Sequence, residues 1–170
     1  MNLQPTLEGE LLQLRPLKES DFEELYLAAC DPLIWEQHPS FDRYQRPVFE
    51  QYFASAMASK GALVAVDKKT GHLIGCSRYY EFDPPHSVAI GFTFLNNKYW
   101  GGNYNKDMKT LMLNHAFSMV ETVFFHIGEK NFRSQKGTEK IGAVFVESVQ
   151  KAFGSAPAST TFIYKISRPS

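Results

Sequence analysis

An extended run, SVAIGFTFL at residues 87–95, is joined to a helical repeat by eight residues that include the adjacent glycines Gly101 and Gly102. In the repeat, Tyr104, Met108, Leu111, Met112, His115, Ala116 and Met119 recur at helical spacing for about four turns. A second extended run follows at residues 122–127, so the three form a strand–helix–strand unit. A crossover of this kind brings its two strands into parallel and lays the helix on one face of a sheet, which rules out a purely antiparallel sandwich or a helical bundle.

The flanking sequence adds antiparallel signals. LLQLRPL at residues 11–17 alternates apolar and polar side chains and ends in a turn at Pro16. Ser20, with Glu23 three residues on, reads as a capping box ahead of a helix whose apolar face is Phe22, Leu25, Tyr26 and Ala29, and Asp31-Pro32 stops it. A second helix starts at Pro47 with Val48, Tyr52 or Phe53, Ala56 and Met57 on one side. Residues 62–66, 73–82 and 87–95 then form a meander, broken by Lys68-Lys69-Thr70-Gly71 and by Asp83-Pro84-Pro85-His86. After residue 127, Asn131 opens a short helix closing at Ile141-Gly142, and residues 143–149 and 160–167 are two last strands. The expected fold is α/β (mixed α+β): one twisted sheet of about six to seven parallel and antiparallel strands, flanked by about four helices, in a single domain over residues 1–170.

Charge narrows the function. The chain carries 18 Lys and Arg against 18 Asp and Glu, which leaves no global field for nucleic acid. The halves differ, however. Residues 1–85 hold 8 basic and 13 acidic side chains, residues 86–170 hold 10 and 5, so an anionic ligand belongs with the second half. With no charged-then-apolar leader at Met1 and no apolar run long enough to span a bilayer, a cytoplasmic protein without a membrane partner is expected. Cys30 and Cys76 read as small core residues.

The linker KYWGGNYN, residues 98–105, concentrates glycine and asparagine, the residues that tolerate positive φ, directly before a helix start. Backbone amides turned inward there, backed by the helix dipole, make an anion nest. Neither GxxxxGK nor GxGxxG occurs, so the common nucleotide loops are absent.

Several blocks together resemble the GNAT N-acetyltransferases, and in particular their Rim-type branch of ribosomal-protein N-terminal acetyltransferases. They are the LLQLRPLKESDFEELY opening with Arg15-Pro16 and Asp21, the IGFTFL strand, Tyr99-Trp100-Gly101, and Asn131-Phe132-Arg133-Ser134 followed by Glu139-Lys140-Ile141-Gly142. The resemblance implies a GNAT-type fold and an enzyme, monomeric or homodimeric, that moves an acetyl group from acetyl-CoA to a primary amine by direct attack. The acceptor it implies is a protein N-terminus or a small-molecule amine, and no metal takes part. The backbone of Thr93, Phe94 and Leu95 would pair with the pantetheine arm, with Asn131 on its amide. Trp100, Gly101, Gly102, Asn103, Tyr104 and Asn105 would hold the diphosphate. Ser134 would donate to the departing thiolate, and a backbone N–H within residues 92–95 would face the thioester oxygen.

Relatives commonly carry glycine at the place of Asn103, a small residue at that of Asn105, and an acid at that of Ala89. An amine acceptor arrives protonated and needs a base, for which Glu81, Asp83 and His86 are candidates, with Glu81 foremost. His115 and His126 read as structural. Trp35, His38, Phe41, Tyr44 and Phe49 are candidates for the acceptor lining, while Arg43 and Arg46 either read an acidic acceptor or serve as solubilising charge. The alternative function is a non-catalytic CoA-binding or regulatory module with a degenerate acceptor site.

Overall fold

A computed structural model of the chain describes residues 2–152 and 157–170. Among these, eight strands form one sheet: β1 (Leu7–Glu8), β2 (Leu12–Pro16), β3 (Ala62–Asp67), β4 (Leu73–Asp83), β5 (Ser87–Leu95), β6 (Thr122–Gly128), β7 (Val144–Lys151) and β8 (Ser159–Ser167), in spatial order β1-β2-β3-β4-β5-β6-β8-β7. Five α-helices accompany them: α1 (Phe22–Ala29), α2 (Pro32–Trp35), α3 (Arg46–Ser59), α4 (Tyr104–Ala116) and α5 (Phe132–Lys140). Every neighbouring pair is antiparallel except β5 and β6, the two strands joined through α4. The mixed α+β fold is therefore as expected, with one strand and one helix more than the sequence suggested. No helix among the described residues is long and apolar enough to cross a membrane.

Helices cover both faces of the sheet. Met108, Met112, Leu113 and Ala116 of α4 pack on Leu12, Leu14, Leu63, Tyr79, Val88 and Val123. On the other face, α1, α2 and α3 enclose a second core in which Trp35, Phe49, Tyr52 and Phe94 lie ring against ring. Each large side chain buried this way contributes roughly 1.5–3 kcal/mol.

Three local expectations are corrected. The capping box of Ser20 and Glu23 does not form: α1 is entered through a 3-10 turn, Glu19–Asp21, in which Asp21 Oδ2 accepts from the Lys18 N–H at 2.8 Å. Asp21 also makes a two-pronged pair with Arg15 (2.9 and 3.0 Å), while Glu23 turns outward to Arg46. Asp31-Pro32 ends α1 but also starts α2, with the Asp31 side chain accepting from the Leu33 N–H at 2.9 Å. Cys30 is exposed at the end of α1, not in the core, whereas Cys76 is buried and its thiol is pushed up to about 11 by that burial.

Burial of Asp21 works against its charge, but the Arg15 and Lys18 hydrogen bonds outweigh it and hold the carboxyl below the ordinary range. Asp21→Ala is expected to cost about 2–3 kcal/mol at pH 7, leaving Arg15 without its partner. A depressed acid stabilises the fold above its unfolded pKa, near about 3.9, and loses that contribution as pH falls through the folded value. Denaturant titrations at pH 7 and pH 2.5 check this: the gap between wild type and variant should close at the lower pH.

Candidate functional site

The two parallel strands part soon after they meet. β5 and β6 pair only at Ser87, Val88 and Ala89 opposite Thr122, Val123 and Phe124, whereas β6 continues in register with β8 as far as Gly128. A bulge in β5 accompanies the divergence. Arg78 faces Gly91 and Cys76 faces Phe94, so β5 spends an extra residue there, with Phe92 in the left-handed region at φ 53. Tyr52 Oη–H fixes this bend by donating to the Phe92 carbonyl, and the Arg78 guanidinium lies 3.8 Å from the Phe92 ring centre.

Beyond the bulge, β5 keeps its open edge. In an antiparallel ladder, residues that exchange hydrogen bonds alternate with residues whose N–H and C=O point away. The Asn96 N–H donates to Ile74 O at 2.8 Å, and one residue back the Leu95 carbonyl points off the ladder to accept from Trp100 Nε1 at 2.9 Å. The same alternation turns the backbone of Thr93 outward.

The link to α4 is braced from behind. Tyr104 Oη and Tyr99 Oη both donate to Asp67, at 2.9 and 3.4 Å, and their rings meet edge to face. Asp107, an acid in the first turn of α4, accepts instead from the Leu11 and Leu12 amides at 3.0 and 3.2 Å. The one negative side chain of that turn thus serves the β1–β2 hairpin. Of the linker residues only Gly101 has a positive φ, 77°, and a side chain built at Gly101 or Gly102 would meet nothing within 4 Å. Asn103 sits at φ −100 as the cap position of α4 and Asn105 is helical, so neither position needs glycine. The amides of the first helical turn have no intrahelical acceptor.

These parts border one groove of about 920 Å³ running between the splayed strands and the starts of α4 and α5. Five cations line it, Lys106, Lys109, Arg133, Lys136 and Lys140, and none of its described lining residues is Asp or Glu. Sequence reading gave none of the five a role, although Arg133 and Lys140 stand within the quoted motifs and the signal was there: positions 106 and 109, and 133, 136 and 140, fall on single helical faces. Arg133 stacks 3.8 Å from the Trp100 ring centre. Lys109 is buried, with its Nζ 5.3 Å from the Phe125 ring centre, and desolvation brings its pKa down to about 8.

For a lysine with a lowered folded pKa, the cost of burying the charge is full below that value and disappears as pH rises to the unfolded one, near about 10.4. Lys109→Met is accordingly expected to raise the melting temperature of the ligand-free protein by roughly 3–6 °C at pH 7, a gain that shrinks towards pH 10. Thermal unfolding at both pH values checks it.

The other expected site residues divide. Thr93, Phe94, Leu95, Trp100, Gly101, Gly102, Asn103, Asn105, Asn131 and Ser134 all border the groove. Asn131 occupies the cap position of α5, yet its side chain makes no capping hydrogen bond, contrary to expectation. Tyr104 is the exception in the loop, since its side chain leaves for Asp67 and its main chain alone belongs to the helix start. Trp35 and His38 border the groove as well, Phe49 is core, and Phe41 is exposed. Asp83 and His86 lie in the exposed hairpin turn, where the His86 N–H donates to Asp83 O, and neither reaches the groove.

Glu81, at φ 49 in β4, is exposed and not a lining residue of the groove, but it extends one carboxylate oxygen to 3.7 Å from His126 Nε2. His126 is a groove residue, and its Nδ1 lies 2.7 Å from Lys151 Nζ. Burial, then Lys151, lowers the His126 pKa from its ordinary value against the pull of Glu81. His115 meets the Asn2 carbonyl, a structural contact. No group of three or more His, Cys, Asp or Glu among the described residues is arranged to hold a metal ion.

The family model described as acetyltransferase (GNAT) domain matches residues 12–144. A GCN5-related N-acetyltransferase from Brucella melitensis superposes with a TM-score of 0.84 at 17% identity, over 96% of this chain and 79% of that one. A Vibrio cholerae structure named as a candidate ribosomal-protein-serine acetyltransferase gives 0.76 at 15% identity, over 99% and 100%. The microcin C7 self-immunity acetyltransferase MccE, solved with acetyl-CoA and AMP, gives 0.74 at 14%, over 94% of each chain. At these identities the structures establish a shared fold. No curated protein matches the sequence.

Proposed function

From the premise that this chain belongs to the GNAT acetyltransferase family and transfers acetyl groups from acetyl-CoA, we propose that its acceptor is a primary amine, a protein N-terminus or a small-molecule amine. The reading takes residues 1–170 as one domain acting in the cytoplasm, as monomer or homodimer.

The observation that supports the donor side of this reading is the groove itself: five cations, no carboxylate among the described lining residues, and a glycine bend at a helix start that opens onto a strand edge unpaired among the described residues. When bound, acetyl-CoA supplies an acetyl group already activated as a thioester. Main-chain amides of residues 101–106, with Lys106 and Arg133 nearby, would hold its diphosphate. The outward backbone of Thr93 and Leu95 would pair with the pantetheine arm as an added strand does, and the Asn131 side-chain amide, which makes no capping hydrogen bond, would bond to it. A backbone N–H at the Phe92 bulge would donate to the thioester oxygen, where negative charge develops.

The chemical step is assigned to two side chains. Ser134 Oγ–H, beside the groove on α5, would donate a hydrogen bond to the departing sulfur, which leaves as a thiolate and takes its proton from solvent. Glu81 would take the amine proton through water. With Nδ1 of His126 accepting from Lys151, the neutral ring carries its proton on Nε2 and directs it at Glu81, so His126 positions the base and is not itself the acceptor.

Mass spectrometry of a mixed pool of peptides and small amines, incubated with protein and labelled acetyl-CoA, tests the reading. Label on an amine nitrogen is expected, and label confined to hydroxyl groups would contradict it.

A further inference from the structure

Arg43, in the loop before α3, is only 6% exposed. Its guanidinium sits among the rings of Tyr52, Trp35 and Phe92, at 5.0, 5.6 and 6.0 Å from their centres. Arg43 is not itself a lining residue of the groove; it lies against Trp35, Phe92 and His38, which are. Arg15 and Arg46 each have a carboxylate within ion-pair distance, whereas no Asp or Glu of the described residues lies within 4 Å of Arg43.

Its nearest polar neighbour does not compensate. Arg43 Nη1 is 3.4 Å from His38 Nε2, while His38 Nδ1 accepts from the Ser40 N–H at 2.9 Å. A buried, neutral ring whose Nδ1 is an acceptor carries its proton on Nε2, so two donors face each other across that distance. Burial, which brings the His38 pKa down to about 3, keeps the ring neutral.

A second cation deepens the deficit. Arg78 stacks on the same Phe92 ring but has acceptors of its own, Ser55 Oγ at 2.9 Å and Tyr52 O at 3.5 Å, and adds repulsion to Arg43; Tyr52 and the neighbouring Asp42 favour the Arg43 charge, yet burial outweighs them and brings its pKa down to about 10. Burying a guanidinium without an anion is expensive, and two neighbouring ones more so. Folding keeps such an arrangement where a ligand supplies the missing charge.

We propose that Arg43 is the anion-recognition residue of the acceptor site and that the acceptor is an amine that also bears a carboxylate. This rests on the amine-acceptor reading above. The fork of the guanidinium suits a carboxylate held by two parallel hydrogen bonds, and the aromatic walls keep the fork rigid.

Matched acceptor pairs differing only in that group test it: free amino acids against their carboxamides, and tripeptides with acidic against amide side chains, with wild type, R43K and R43Q. The second pair separates a peptide source from a small molecule. Wild type should favour the carboxylate member by about tenfold or more in kcat/KM, through KM, and R43Q should erase the preference. An acetyl-CoA affinity within about twofold of wild type marks the variants as folded, and R43K, keeping charge without the fork, should fall between. Equal use of both members by wild type, or a preference that survives R43Q, overturns the proposal. If no amine is acetylated, the amine-acceptor reading fails; calorimetric titration of the CoA-loaded protein with the same pairs then decides the carboxylate claim separately, and indifferent or absent binding overturns it.

Discussion

Gly102→Asp is expected to weaken acetyl-CoA binding by about 100-fold or more while leaving the fold intact. A side chain at this position meets no atom within 4 Å, so nothing in the protein needs to move. A carboxylate just before a helix start is, if anything, mildly stabilising through the dipole. The same placement sets it where the diphosphate is to lie. Like charges about 4 Å apart repel by about 4 kcal/mol near a protein surface, more than enough for the stated loss. Gly102→Ala, which adds volume without charge, should fall far short of it. Isothermal titration with CoA alongside thermal unfolding reads both quantities, and unchanged affinity in the Asp variant would remove the diphosphate from this bend.

Ser134→Ala is expected to lower kcat by about 100-fold with acetyl-CoA affinity unchanged, the signature of a donor used only as the thiolate departs. Ser134 is half-buried on the groove side of α5, whose cationic residues Arg133 and Lys136 flank it. Removing one oxygen there leaves the helix and the cations in place, so the effect should fall on the chemical step alone. A thiol leaving group has a pKa near about 8.5, so it departs as a thiolate, and without the Ser134 hydrogen bond that anion is left unstabilised in a partly dry groove. Pre-steady-state acetyl transfer checks this; an unchanged rate, or a loss carried wholly by binding, would take Ser134 out of the chemistry.

How far the chain could be read without coordinates follows from the range of the forces involved. The β3–β5 meander and the strand–helix–strand unit were legible because alternation, turn residues and helical spacing are local signals. β1, two residues long, carries no period to read. Asp31-Pro32 looked like a stop because it ends α1, yet Asp at a cap and Pro in a first turn equally start a helix, as they do for α2. Asp21 was visible in the opening motif, but its capping role was read onto Ser20 and Glu23 because its attraction to Arg15 acts across the chain's own turn.

The groove divides in the same way. Its glycine bend and the asparagine and serine of α5 were visible as motifs. That Asp67 would clamp Tyr99 and Tyr104, or that Asp107 would face β2, depends on elements brought together from 32 to 96 residues apart. Arg43 and Arg46, three residues apart, were indistinguishable in the sequence. Both end beside aromatic rings, Arg46 over Phe22 and Tyr26, but folding buries Arg43 and leaves Arg46 at the surface with Glu23 and Glu50.

The most direct measurement is a titration of isotope-labelled protein with CoA, followed through its backbone amide resonances. The largest shifts should appear at Gly101, Gly102 and residues 103–106, with a second set at Thr93 and Leu95 along the open edge of β5. Saturable binding that leaves those amides unmoved would contradict the account at its base.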